Sequence, residues 1–136
     1  FLPAIIMAVF FYSCDKSSGP LPQPSPQQFY DVNYNLELTG SYDNLVVTYY
    51  KSGSDVVSVS PTSFPWNQNF SNFVAGDTVY FRFSFDTQPD KAVGWNYAVS
   101  VNKDGNYIAG KSGAQNLTPG ESVSNIHIEW LKAIGS

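Results

Sequence analysis

The chain has 136 residues, enough for one ordinary domain, with 7 basic against 11 acidic residues and a net charge of −4. That sign is wrong for phosphate, so no nucleic-acid partner is expected. A single Cys excludes a disulfide scaffold, and 16% aromatic against 13% charged residues suits β structure and excludes a disordered chain.

Residues 1–13, FLPAIIMAVFFYS, carry no charge. The apolar run Leu2 to Tyr12 has the length of a signal h-region and is too short to span a bilayer. It ends at Ser13-Cys14. This resembles a bacterial lipoprotein signal, cut ahead of a Cys that then carries acyl chains. Ser13 fits the small residue before the Cys, whereas Phe11 stands where Leu is usual. The chain opens on Phe1 without a basic stretch, so a start further upstream is expected. The resemblance implies that Cys14 is a lipid attachment site, holding the protein on a membrane through two or more acyl chains. The expected location is the bacterial cell envelope, extracytoplasmic, in the periplasm or on the cell surface.

Residues 14–28 form a tether after the anchor. Pro20, Pro22, Pro24 and Pro26 alternate with other residues, a pattern that leans to polyproline II. Such a segment would hold the domain up to ~40 Å from the bilayer.

Residues 29–131 read as a run of short strands broken by turns. In Phe29 to Thr39, Tyr30, Val32, Tyr34, Leu36 and Leu38 alternate with polar residues, a period of two with one wet face. Residues 40–44 turn the chain, and strands at 45–51 and 55–60 follow. The next, 64–71, places Phe64, Trp66 and Phe70 together. In 78–86, Val79, Phe81, Phe83 and Phe85 face one way while Thr78, Tyr80, Arg82 and Ser84 face the other. After a polar loop at 87–94, strand 95–102 puts Trp95, Tyr97, Val99 and Val101 on one face. Asp104-Gly105 marks a type I′ hairpin into 107–111. A loop is expected at 112–120, a last strand at 121–131 with Ile126, Ile128 and Trp130 aligned, and a tail at 132–136. Seven to eight strands without a helical period predict an all-β fold, an immunoglobulin-like antiparallel β-sandwich, with a small barrel as the alternative.

The order of Leu38-Thr39-Gly40, then Leu45-Val46-Val47-Thr48-Tyr49-Tyr50, then Phe64-Pro65-Trp66 with Phe70, Gly76-Asp77 and Asp104-Gly105 is similar to that in small bacterial lipoproteins with one immunoglobulin-like domain. More distantly it resembles MmpS-type transport-accessory domains. The resemblance implies an extracytoplasmic binding or envelope-accessory module that is not an enzyme. It brings no catalytic residues.

The residues themselves offer little catalytic chemistry. His127 stands alone on the face opposite Ile126 and Ile128, and one His cannot build a zinc site. Asp86 and Asp90, or Asn102, Asp104 and Asn106, could be read as calcium ligands, but no acidic residue closes the loop and turn chemistry explains them. No metal, cofactor or catalytic residue is therefore assigned. The three Trp residues share faces with apolar neighbours and are expected in the core. Tyr80 and Arg82, on the polar side of their strand, and Tyr42 and Tyr50 are the candidate ligand-binding residues, for an envelope protein or a glycan partner.

The anchor is directly testable. A Cys14→Ala variant is expected to lose its acyl mass in mass spectrometry and to leave the membrane pellet on fractionation.

Overall fold

The computed structural model describes residues 27–121 and 124–135. The signal segment, Cys14 and most of the tether lie outside the described residues. Eight strands follow in chain order: β1 Tyr30–Gly40, β2 Tyr42–Ser52, β3 Asp55–Val59, β4 Trp66–Phe73, β5 Thr78–Thr87, β6 Val93–Lys103, β7 Asn106–Leu117 and β8 Asn125–Ala133. They form two four-stranded antiparallel sheets, ordered β4-β1-β6-β7 and β3-β2-β5-β8. The fold is the all-β sandwich expected from the strand parity. Its central pairs interlock: β1 and β2 are consecutive yet lie in opposite sheets, and their partners β6 and β5 do likewise.

The alternation in the sequence is the alternation in burial. Val32, Tyr34, Leu36 and Leu38 of β1 face Val79, Phe81, Phe83 and Phe85 of β5 across the interior, all buried. Rings fill the space between them. Phe81 stacks on Tyr34 at 5.6 Å between centroids and on Tyr97 at 6.3 Å, and touches Phe83 at 5.8 Å. Phe85 meets Trp95 edge to face at 5.5 Å. One polar atom crosses the interior. The Tyr34 hydroxyl, on the first sheet, donates to the Tyr50 carbonyl on the second at 2.8 Å. Burial pushes the Tyr34 phenol well above its ordinary range, so this donor stays protonated.

Turns differ from the sequence reading in ways that follow from the two-sheet arrangement. The turn expected at 40–44 shrinks to Ser41, because Gly40, at φ 88°, bends the chain directly from one sheet to the other. Ala92 leaves no room there, since a Cβ on Gly40 would stand 2.2 Å from its carbonyl oxygen. Asn44, at φ 56°, lies in a register shift that lets β2 start at Tyr42. Asp104 and Gly105 both take positive φ, as a type I′ hairpin needs. The loop expected at 112–120 is instead strand as far as Leu117. Its Gly, Ala and Ser residues gave no apolar alternation, because β7 is an edge strand whose inner side is only partly covered, leaving Lys111 and Gln115 exposed while Leu117 is buried. At the other end β8 begins at Asn125 and runs on to Ala133. Ile134, expected in a tail, is buried, and its backbone is tied to the β4–β5 turn through Gly76 and Asp77.

Trp95 is buried as expected, whereas Trp66 and Trp130 are half-buried and packed against the core. Removing the central ring should therefore cost more than any other truncation here. Phe81→Ala is expected to lower unfolding free energy by about 3–5 kcal/mol in urea titration. Tyr34→Phe, which leaves the Tyr50 carbonyl without its donor, should cost about 1–3 kcal/mol. Phe29→Ala, at a residue 54% exposed, should leave the midpoint nearly unchanged.

Candidate functional site

The outward side of the β3-β2-β5-β8 sheet gathers most of the polar chemistry expected from the sequence. Register places residues in rows across it. One row runs Ser58, Thr48, Arg82, Glu129. The next pairs Val56 with Tyr50 and Tyr80 with Leu131, and the Tyr50 and Tyr80 rings meet at 5.5 Å. On the other side of Arg82, Val46 pairs with Ser84 and Ser84 with His127.

Three of the four candidate residues thus come together. Tyr50, Tyr80 and Arg82 are neighbours, each half-buried rather than fully exposed. Tyr42 is the exception. It pairs with Thr87 at the opposite end of β5, where its ring packs against Phe64 and Phe85. At ~3.3 Å per residue, the seven steps from Tyr80 to Thr87 put it about 20 Å away. Tyr42 is a cap on the core edge and does not join the group.

Hydrogen bonds fix the charged row. Tyr80 Oη donates to Glu129 Oε2 at 2.5 Å, and Arg82 Nη2 reaches Thr48 Oγ1 at 3.4 Å. Thr48 is buried although it lies on the outer side, because Arg82 and Ser58 cover it. The Tyr80 hydrogen bond holds the Glu129 carboxyl below the usual range, with His127 and Arg82 adding to the effect. Burial pushes the Tyr80 phenol up, and its bond to Glu129 pushes it the same way. His127 Nε2 stands 3.6 Å from Glu129 Oε1, with both side chains about half exposed.

Ser84, His127 and Glu129 therefore share one neighbourhood. Nucleophilic catalysis needs the base hydrogen-bonded to the hydroxyl. Among the described residues no hydrogen bond joins Ser84 to His127, whose Nε2 turns to the carboxylate instead. Asp86, one of the calcium candidates, is already engaged. Both Asp86 oxygens accept amide hydrogens, from Asn44 and Asn125 at 2.9 Å each, which holds its carboxyl below the usual range. No group of three His, Cys, Asp or Glu able to hold a metal occurs among the described residues.

Sequence reasoning missed Glu129, Leu131 and Val56. Leu131 is 62% exposed and Val56 51%, at the two ends of the Tyr50–Tyr80 row. Their outward parity was readable within each strand, but only the pairing of β3 with β2 and β5 with β8 brings them to Tyr50 and Tyr80. No known protein family, curated protein or solved structure matches this chain.

The Tyr80–Glu129 bond sets a pH dependence. Glu129 has a lowered folded-state pKa, so its contribution is present above the ordinary Glu pKa and is lost as pH falls through the folded value. In an NMR titration Glu129 is expected to protonate below the ordinary Glu value. Tyr80→Phe should move its midpoint up toward the ordinary carboxylate value.

Proposed function

We propose that the chain is a lipid-anchored, extracytoplasmic binding or envelope-accessory module without catalytic activity. Its contact surface is the outward side of the β3-β2-β5-β8 sheet. The observation that carries this reading is the row Val56, Tyr50, Tyr80, Leu131 beside the row Thr48, Arg82, Glu129. An apolar and aromatic strip next to fixed polar groups is the anatomy of a protein-contact surface. Tyr and Arg are also the residues that dominate such contacts. Leu131 and Val56 are half or more exposed where Lys or Glu would favour an inert surface. The anchor at Cys14 belongs to the same reading, since a tethered module meets its partner at the membrane, where effective concentration is high. The partner class that fits is an envelope protein.

The experiment compares the full chain with two surface variants. Photo-crosslinking from position 131 in envelope membranes is expected to give a discrete adduct. Tyr80→Ala and Leu131→Asp should each reduce co-purification of the same adducted protein about tenfold or more, a loss of at least one well-packed contact. Unchanged recovery with both variants, at unchanged melting temperature, would remove this surface from the reading.

A further inference from the structure

The opposite side of the molecule has a different chemistry. The outward positions of the β4-β1-β6-β7 sheet are rich in asparagine. Asn67 and Asn69 of β4 lie in register with Asn35 and Asn33 of β1. These continue into Ala98 and Ser100 of β6, and then into Ser112 and Gly110 of β7. Asn96 and Asn102 of β6 and Asn116 of β7 extend the array along the strands. Asparagine is among the residues least suited to strands, so folding alone does not favour this choice on four neighbouring strands. The outward positions of the array carry Asp31 and Glu37 but no Lys or Arg.

Five of the amides are held in place by side-chain hydrogen bonds. Asn35 donates to the Asn67 carbonyl oxygen, and Asn96 donates to Glu37 at 3.1 Å. Asn33 and Asn102 both donate to Ser100, at 3.4 and 3.3 Å. Each amide has two N–H donors and a carbonyl acceptor, so one bond fixes the group and leaves the others for a ligand. Fixed side chains lose little entropy on binding.

Two hollows lie in line on this surface along β6 and β7, the larger one bordered by Ala98. One, of about 310 Å³, is bordered by Ser100, Ser112, Tyr107 and Lys111. The other, of about 110 Å³, is bordered by Asn96, Asn116 and Glu37. Tyr107 is 65% exposed, and its ring lies over Gly110, where an added Cβ would be 2.9 Å from the hydroxyl. An exposed ring laid against a sheet offers an apolar surface with a polar tip. From Gly94 to Asn102 the strip is about 25 Å long at ~3.3 Å per residue.

We infer that this strip binds a neutral, hydroxyl-rich polymer, a polysaccharide chain laid along β6 and β7. Fixed amides match hydroxyls, which both donate and accept. Asp31 and Glu37 outnumber the one bordering cation, Lys111, and this negative balance disfavours phosphorylated or acidic polymers. Two open hollows in line suit an extended chain, with Tyr107 under one sugar ring. The inference is independent of the protein-contact reading, because it concerns the other sheet and other residues.

The test is affinity electrophoresis of the full chain through gels containing soluble β-glucan, xyloglucan, mannan or dextran, with polygalacturonate as the acidic comparison. Retardation is expected in at least one neutral polysaccharide and not in polygalacturonate. Ala98→Trp, at an exposed outward position on the border of the larger hollow, should abolish it. Asn96→Ala should weaken it about tenfold, the equivalent of one or two hydrogen bonds. Tyr80→Ala, on the opposite sheet, should leave it unchanged. Equal migration in all gels overturns the inference, as does retardation that survives Ala98→Trp. Retardation lost only in Tyr80→Ala would place sugar binding on the aromatic surface and overturn it too.

Discussion

Everything else in this domain depends on one ring, that of Phe81. It lies at the centre of β5, stacks on Tyr34 from the opposite sheet and on Tyr97 beside it, and touches Phe83 in its own strand. A sandwich of this size has no disulfide available to hold its sheets together. Aromatic side chains bury the most area per residue and add a directional preference when rings meet. The ring layer therefore sets both the spacing of the sheets and their relative slide. The Tyr34 hydroxyl, reaching the Tyr50 carbonyl, then locks that slide with a partly buried hydrogen bond.

Because the interior consumes the large rings, each sheet is left with an outward side of its own. On β3-β2-β5-β8 that side carries tyrosine, arginine, glutamate and three exposed aliphatic residues, Val46, Val56 and Leu131. On β4-β1-β6-β7 it carries amides and hydroxyls. The Tyr34–Tyr50 bond couples the interior to the first of these, since the backbone it holds is that of a residue whose ring faces outward. A rigid core thus orients both surfaces without contributing a side chain to either. Two chemically different sides would let the module proposed above hold a protein on one and a polymer on the other at the same time.

Much of the fold was legible in the sequence because the strand period is two. Val79-Tyr80-Phe81-Arg82-Phe83 could alternate in only one way, and β1, β5 and β6 followed it. Asp104-Gly105 was legible because a type I′ turn demands positive φ at two positions. Reading failed where that logic was absent. The strand 112–117 carries small and polar residues on an uncovered edge, so burial imposed no alternation on it. Ile134 read as tail because one buried residue after a strand has no period to reveal it.

The candidate site was legible by halves. Parity alone put Tyr80 and Arg82 on an outward side, since their neighbours had to face the core. Local pattern could not tell that Tyr42, in a similar setting, would cap the far edge of the core. Nor could it pair Tyr80 with Glu129, 49 residues away, or align the asparagines of β1, β4, β6 and β7 into one array. The sequence by itself determined which side of each strand is wet, because that depends only on neighbours in the chain. The tertiary structure decided which wet sides stand together, because register between distant strands is set by how the rings of the core interlock.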